Sequence, residues 1–253
     1  MARVLKFYWV SMAYAFVQAV ENSFLGSATS LSSTALHTTA GNLLVVFVTW
    51  DPSTNPSATA SLSDPAANSY TPITPVIVDA TNGVNIQAFY CKNANAISGN
   101  QVTFTLSATN SVLGIAVLEY SGNDTTAPLD GSHSNLQATP GTGTGGITTG
   151  NATNTKQPAL VLSIAMADGA TSYTPAAEAA STSRITGWDF GLGTALMRIQ
   201  DKRTTATGGI GATFTAAANS SVVSAVFVFD ETGAAGGGTP IAVLANSYYQ
   251  HLT

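Results

Sequence analysis

The chain has 253 residues, of which only 8% are charged, with 8 Lys and Arg against 13 Asp and Glu; ordinary soluble domains carry about 25%. Roughly 55% of it is Ala, Thr, Ser, Gly or Asn, well above the usual share and poor in the Leu, Glu, Lys and Arg that build long surface helices. A net charge of −5 removes the basic footprint of nucleic-acid binding, 45% apolar residues exclude a disordered chain, and a single cysteine, Cys91, excludes an intrachain disulfide framework and a Cys-cluster zinc site.

At the N-terminus Arg3 and Lys6 precede an apolar run over residues 7–17, and Ala13-Tyr14-Ala15 imitates a signal-peptidase site. The run is shorter than the ~20 apolar residues of a membrane span. The chain starts at Met1 with this segment attached, so residues 1–15 are expected to be a retained apolar arm. The body, residues 16–232, predicts short strands bounded by Gly, Pro, Asn and Ser. They fall at 42–50, 86–92, 101–106, 112–120, 159–167, 194–200, 212–216 and 222–229. Residues 101–106 alternate apolar and polar, as for a strand with one wet face. Residues 43–48 and 222–229 are continuously apolar, as for strands covered on both faces. Only residues 174–180 have a helical flavour, weakened by Pro175. Residues 233–240 read as a Gly-rich linker, and 241–253 as a second apolar arm.

The chain also repeats itself. Tyr70-Thr71-Pro72 recurs as Tyr173-Thr174-Pro175, and Thr103-Phe104-Thr105 recurs 110 residues later as Thr213-Phe214-Thr215. The same offset places Lys92 on Lys202, Val112 on Val222 and Leu118 on Val228, while Leu43-Leu44-Val45-Val46 matches Leu160-Val161-Leu162-Ser163. Two related halves, about 40–122 and 157–230, are expected to form one all-β, jelly-roll-like β-sandwich with pseudo-twofold symmetry. Phe104 and Phe214 should then occupy corresponding positions. Residues 131–155, rich in Gly and Thr, would be either a tether or a long connection across the sandwich.

Some stretches are specific enough to suggest relatives. They are Gly41-Asn-Leu-Leu-Val-Val-Phe-Val-Thr-Trp50, Asn68-Ser-Tyr70, Phe89-Tyr-Cys-Lys-Asn93 and Ala116-Val-Leu-Glu-Tyr-Ser-Gly-Asn-Asp-Thr-Thr-Ala-Pro-Leu-Asp-Gly131. Together they resemble Thr/Ser/Gly-rich β-sandwich domains of secreted bacterial surface proteins and of phage or metagenomic virion proteins. The resemblance implies a surface or structural role and supplies no catalytic residues.

Candidate chemistry is sparse. His37, His133 and His251 read as turn or surface residues, although His133 adjoins Ser132; Cys91 reads as a small buried hydrophobe. Glu119 and Glu178 are single carboxylates without a nominated partner for glycoside hydrolysis, and Glu119 is expected to point outward beside buried Leu118 and Tyr120. Asn123, Asp124 and Asp130 bracket a loop that offers oxygens to a hard cation but reads more simply as turn material. Trp50, Trp188, Tyr70, Tyr173, Tyr248 and Tyr249 are the aromatic candidates for a sugar platform, with core-edge covers as the plainer reading.

The termini carry the functional expectation. Phe7 and Trp9 in one arm, and Tyr248 and Tyr249 in the other, cost free energy if left in water. They are expected to be assembly contacts, with strand addition to a sheet edge as the natural mode. The sequence therefore predicts a non-enzymatic structural protein without catalytic, cofactor or metal sites. Its expected partners are copies of itself or a capsid or filament scaffold, in a virion or at the cell surface, with no nucleic acid and no membrane span. A carbohydrate-binding or adhesin module, and hence a glycan partner, is the alternative.

Overall fold

The computed structural model describes residues 14–79, 83–137, 143–167, 173–175, 181–189, 196–216 and 222–236. All regular elements among them are strands. The first half contains β1 (Ala15–Phe24), β2 (Ala28–Ser32), β3 (Leu36–His37), β4 (Leu43–Asp51), β5 (Ala60–Ser63), β6 (Thr71–Asp79), β7 (Val84–Cys91), β8 (Ser98–Asn100) and β9 (Thr103–Ser121). The second contains β10 (Leu129–Gln137), β11 (Gly143–Asn154), β12 (Lys156–Ala167), β13 (Tyr173–Pro175), β14 (Thr182–Asp189), β15 (Leu196–Thr204), β16 (Gly208–Ala216) and β17 (Val222–Gly236).

The halves share one plan. In the first, a large sheet runs β1-β9-β4-β7-β6, and β2 and β5 flank the early part of β9 as a small sheet. In the second, the large sheet runs β10-β17-β12-β15-β14 and the small one β11-β16-β13. The long β9 serves both sheets of its half, with Val112 at φ 54° inside it; in the second half β16 and β17 divide that work. Phe104 pairs with Leu31 and Leu62, and Phe214 pairs with Ile147 and Pro175 in the matching places. Even the irregularities coincide: β1 slips register between Phe16 and Gln18, and β10 between Leu129 and Gly131, each opposite the twin positions Tyr120 and Phe229. Bulges are specific features of a fold rather than accidents.

Burial explains the sequence pattern. Leu43, Val45 and Phe47 of β4 enter a central core between the two large sheets, while Leu44, Val46, Val48 and Trp50 enter an outer core beneath the small sheet. A strand buried on both faces needs a continuous apolar run. The central core takes eleven buried residues from each half. The single sandwich expected from sequence is this central pair of sheets; in addition, each large sheet carries a small sheet on its outer face. The outer core of the first half holds Trp50, Phe89 and Phe104. Among the described residues, that of the second holds two clusters, Phe214 with Ile147, Ala165 and Val222, and a second of Ala and Val side chains with Ile210.

Contacts across the central core obey a twofold. Tyr120 of β9 meets Asp201 of β15. Their register twins, Phe229 of β17 and Tyr90 of β7, meet as an edge-to-face ring pair 6.2 Å apart. An interface in which i meets j and the twin of i meets the twin of j is isologous.

Several expectations change. The offset of 110 holds for Phe104 and Phe214 but fails further on. Leu118 pairs with Val45, and Phe227 pairs with Leu162, so Phe227 and not Val228 is the counterpart of Leu118. Val228 points into the outer core instead, because a one-residue slip in a strand exchanges its faces. Likewise Lys92 corresponds to Arg203 rather than Lys202 by its place beside β4 and β12. Residues 131–155 are neither tether nor crossover; they contain most of β10 and β11. The halves therefore begin earlier than 40 and 157. Residues 173–175 form β13 rather than a helix start, and 176–180 lie outside the described residues. β17 continues to Gly236, pairing with Lys156 and Gln157 through part of the Gly-rich stretch.

Candidate functional site

The two margins of the central core differ. One is closed by a polar and aromatic cluster at β1, β9, β14 and β15. The Tyr120 hydroxyl donates to Asp201 Oδ2 at 2.8 Å, and Arg184 Nε donates to the same oxygen at 2.7 Å. Tyr14 and Phe16 stand edge-on to the Tyr120 ring at 6.0 and 5.7 Å, and the Arg184 guanidinium lies 4.0 Å over Phe16. Burial first, and the Asp201 charge second, hold both tyrosine phenols protonated well above their ordinary range. Nearby, Arg203 grips the fully buried Glu231 through two hydrogen bonds of 2.6 and 2.9 Å, and Lys156 reaches buried Asp230 at 2.5 Å. Burial pushes the Asp230 carboxyl upward. In a chain with eight basic residues, Lys156, Arg184 and Arg203 thus each meet a buried carboxylate. That rarity is the signal in the sequence that could have singled them out. The Tyr120–Asp201 bond and the Arg184–Phe16 stack cross between the halves, so the cluster braces them.

The loop between the halves belongs to the same brace. Asp124 Oδ1 accepts from the Thr126 and Ala127 amides at 2.6 and 3.0 Å, which lowers its pKa. Asp130 accepts from the Thr155 amide and, at 2.6 Å, from its hydroxyl. A Cβ on Gly131 would lie 2.2 Å from Thr153 O, so β11 approaches β10 at a place open only to glycine. The Pro-Leu-Asp-Gly131 stretch is a turn and a close approach. No group of three or more His, Cys, Asp or Glu among the described residues is placed to hold a metal ion.

The other margin, at β6, β7, β10 and β17, opens into a cavity of about 240 Å3. It is lined by Ile73, Ile77, Ala88, Ser132, His133, Ser134, Ala225 and Phe227. Its twin positions at the closed margin hold larger groups: Ile199 stands where Ala88 is, and Glu21 stands where Ser134 is. Ser132 and His133 do not act together. Ser132 sits opposite Phe227, while the His133 ring turns to β11, with Nδ1 2.9 Å from Thr149 O.

Other candidates are placed as follows. Glu119 does not point outward: it is fully buried, accepting from Gln18 Nε2 at 2.6 Å, the Thr39 amide at 2.7 Å and Asn42 Nδ2 at 2.6 Å. Leu118 and Tyr120 face the central core, so Glu119 faces away from it, where two distant segments supply three donors. Cys91 is buried, and burial pushes its thiol up to about 11. The His37 ring lies against Gly99. Trp50 is buried against Phe104, with ring centroids 6.0 Å apart, and is a core cover. The Tyr70 hydroxyl donates to Asp64 at 2.6 Å. Trp188 and Tyr173 belong to β14 and β13. Phe7, Trp9, Glu178, Tyr248, Tyr249 and His251 lie outside the described residues.

No protein-family model, no curated protein and no solved structure matches the chain. No helix among the described residues is long and apolar enough to cross a membrane.

Proposed function

We propose that the protein is a non-enzymatic structural subunit that assembles with copies of itself or with a scaffold. The first choice is a phage-type virion component such as a capsid decoration protein, and the next a subunit of a surface filament. One observation carries the reading. The exposed large apolar side chains among the described residues are Val17, Phe24, Leu25, Val78 and Leu136. They lie on β1 and one residue beyond it, on β6 and on β10, all edge strands of the two large sheets. Edges are where a sheet accepts another strand, and soluble monomers commonly guard them with charge. This chain has little charge to spend there. Two further features support the reading: each half lays a small sheet on the outer face of a five-stranded one, and apolar arms flank the body at both ends.

The test is deletion of residues 239–253. The truncated protein should keep its β-type circular dichroism but assemble poorly by light scattering, while electron microscopy of the intact protein shows regular particles or fibres. Normal assembly after truncation, or an intact protein that stays monomeric, refutes the reading.

A further inference from the structure

We infer that the cavity between β6 and β10 is a socket for one tyrosine ring of the Tyr248-Tyr249 pair, brought by a second copy of this chain. This rests on the assembly reading and adds the acceptor to it.

The internal repeat supplies the control. At the closed margin the twin positions carry the larger, buried Ile199 and the long, exposed side chain of Glu21, where the cavity has Ala88 and Ser134. The opening is therefore a local departure from the shared plan, made by two small side chains. Its volume of about 240 Å3 suits a phenol ring, since an apolar cavity of ~150 Å3 takes up benzene. Its walls suit one too. Ile73, Ile77 and Phe227 offer apolar faces, and Ser132 and Ser134 bring hydroxyls to meet the phenol oxygen. Two of the exposed large apolar residues, Val78 and Leu136, lie on the strands that frame it.

Reach favours a neighbouring copy over the chain's own tail. β17 leaves the cavity at Phe227 and continues to Gly236, about 30 Å away at ~3.3 Å per residue. The twelve residues from Gly236 to Tyr248 span about 20 Å when flexible. The chain's own tyrosines would have to return along β17 stretched beyond that flexible span, to about three-quarters of the ~40 Å that twelve residues reach when fully extended. Those of a neighbour carry no such constraint.

The experiment uses the full chain. Ala88→Ile fills the socket with the side chain that the twin position already accommodates, and Ser134→Glu copies Glu21 as a second, independent fill. Circular dichroism and thermal melting check folding, and sedimentation velocity measures self-association. Each fill, and the double variant Tyr248→Ala/Tyr249→Ala, should weaken self-association about 30-fold, the loss of one anchor residue. Combining a fill with the tyrosine variant should weaken it no further. Mixing Ser134→Cys chains with Tyr248→Cys or Tyr249→Cys chains should give a disulfide between copies.

If truncation at residue 239 abolishes assembly but both folded fills assemble normally, the socket is refuted and the arm reading survives. A disulfide formed within a single chain carrying both cysteines, in place of one between copies, gives the socket to the chain's own tail and overturns the inference. An intact protein that never self-associates removes both readings.

Discussion

Phe104 and Phe214 test whether the two halves fold as one unit. Both are fully buried at twin positions, each in the outer core of its own half. Replacing a fully buried Phe by Ala costs about 3–5 kcal/mol. Phe104 packs on the Trp50 ring at 6.0 Å among large neighbours that leave a cavity when it is gone, which places it near the upper figure. Phe214 is fully buried with Ile147, Ala165 and Val222 in its cluster, and the same range applies to it. At ~2–4 °C per kcal/mol for a chain of this size, melting temperatures should fall by about 6–20 °C. The central core draws eleven residues from each half and exceeds either outer core, so unfolding one half exposes the other. Differential scanning calorimetry should therefore show a single transition that either substitution lowers. Two transitions, each moved by only one of the substitutions, would refute the coupling.

Glu119→Gln should cost about 1–3 kcal/mol in urea unfolding, because an amide nitrogen then faces donors that a carboxylate oxygen accepted. Asp124→Ala should cost about 1 kcal/mol at neutral pH through loss of its two amide contacts. Because the folded-state pKa of Asp124 is lowered, its contribution is present above the ordinary carboxyl range and lost as pH falls through the folded value. Stability curves of wild type and Asp124→Ala, measured by denaturant titration from pH 7 to 2, should accordingly converge in acid. Cys91, buried with its thiol pushed up to about 11, should resist a thiol reagent at pH 8 in the native protein and react at once in denaturant.

Legibility from sequence followed burial. β4, β12 and β17 were plain because both of their faces enter cores, leaving unbroken apolar runs such as Leu43-Leu44-Val45-Val46-Phe47-Val48. Edge strands were opaque. β10 reads Leu-Asp-Gly-Ser-His-Ser-Asn-Leu-Gln, a turn-like composition, since an edge strand of this sheet buries little on either face. The repeat was visible through Thr-Phe-Thr, but the one-residue drift between Phe104 and Leu118 was hidden, because neighbouring apolar residues on a doubly buried strand match in either register. Glu119 misled for a different reason: its donors Gln18, Thr39 and Asn42 come from segments about 80 to 100 residues away in sequence. The cavity was invisible because it is the difference between Ala88 and Ile199, two ordinary strand residues.

The shared bulge at Phe16 and Leu129 has a consequence for how such a molecule changes over generations. Two separate identical subunits meeting about a twofold receive every substitution in duplicate, so a hole opened at one margin opens at both and weakens the joint twice. Written on a single chain, the same arrangement takes each change once. One margin keeps its bulk and its ion pairs, while the other is free to change alone, as Ala88 and Ser134 have against Ile199 and Glu21.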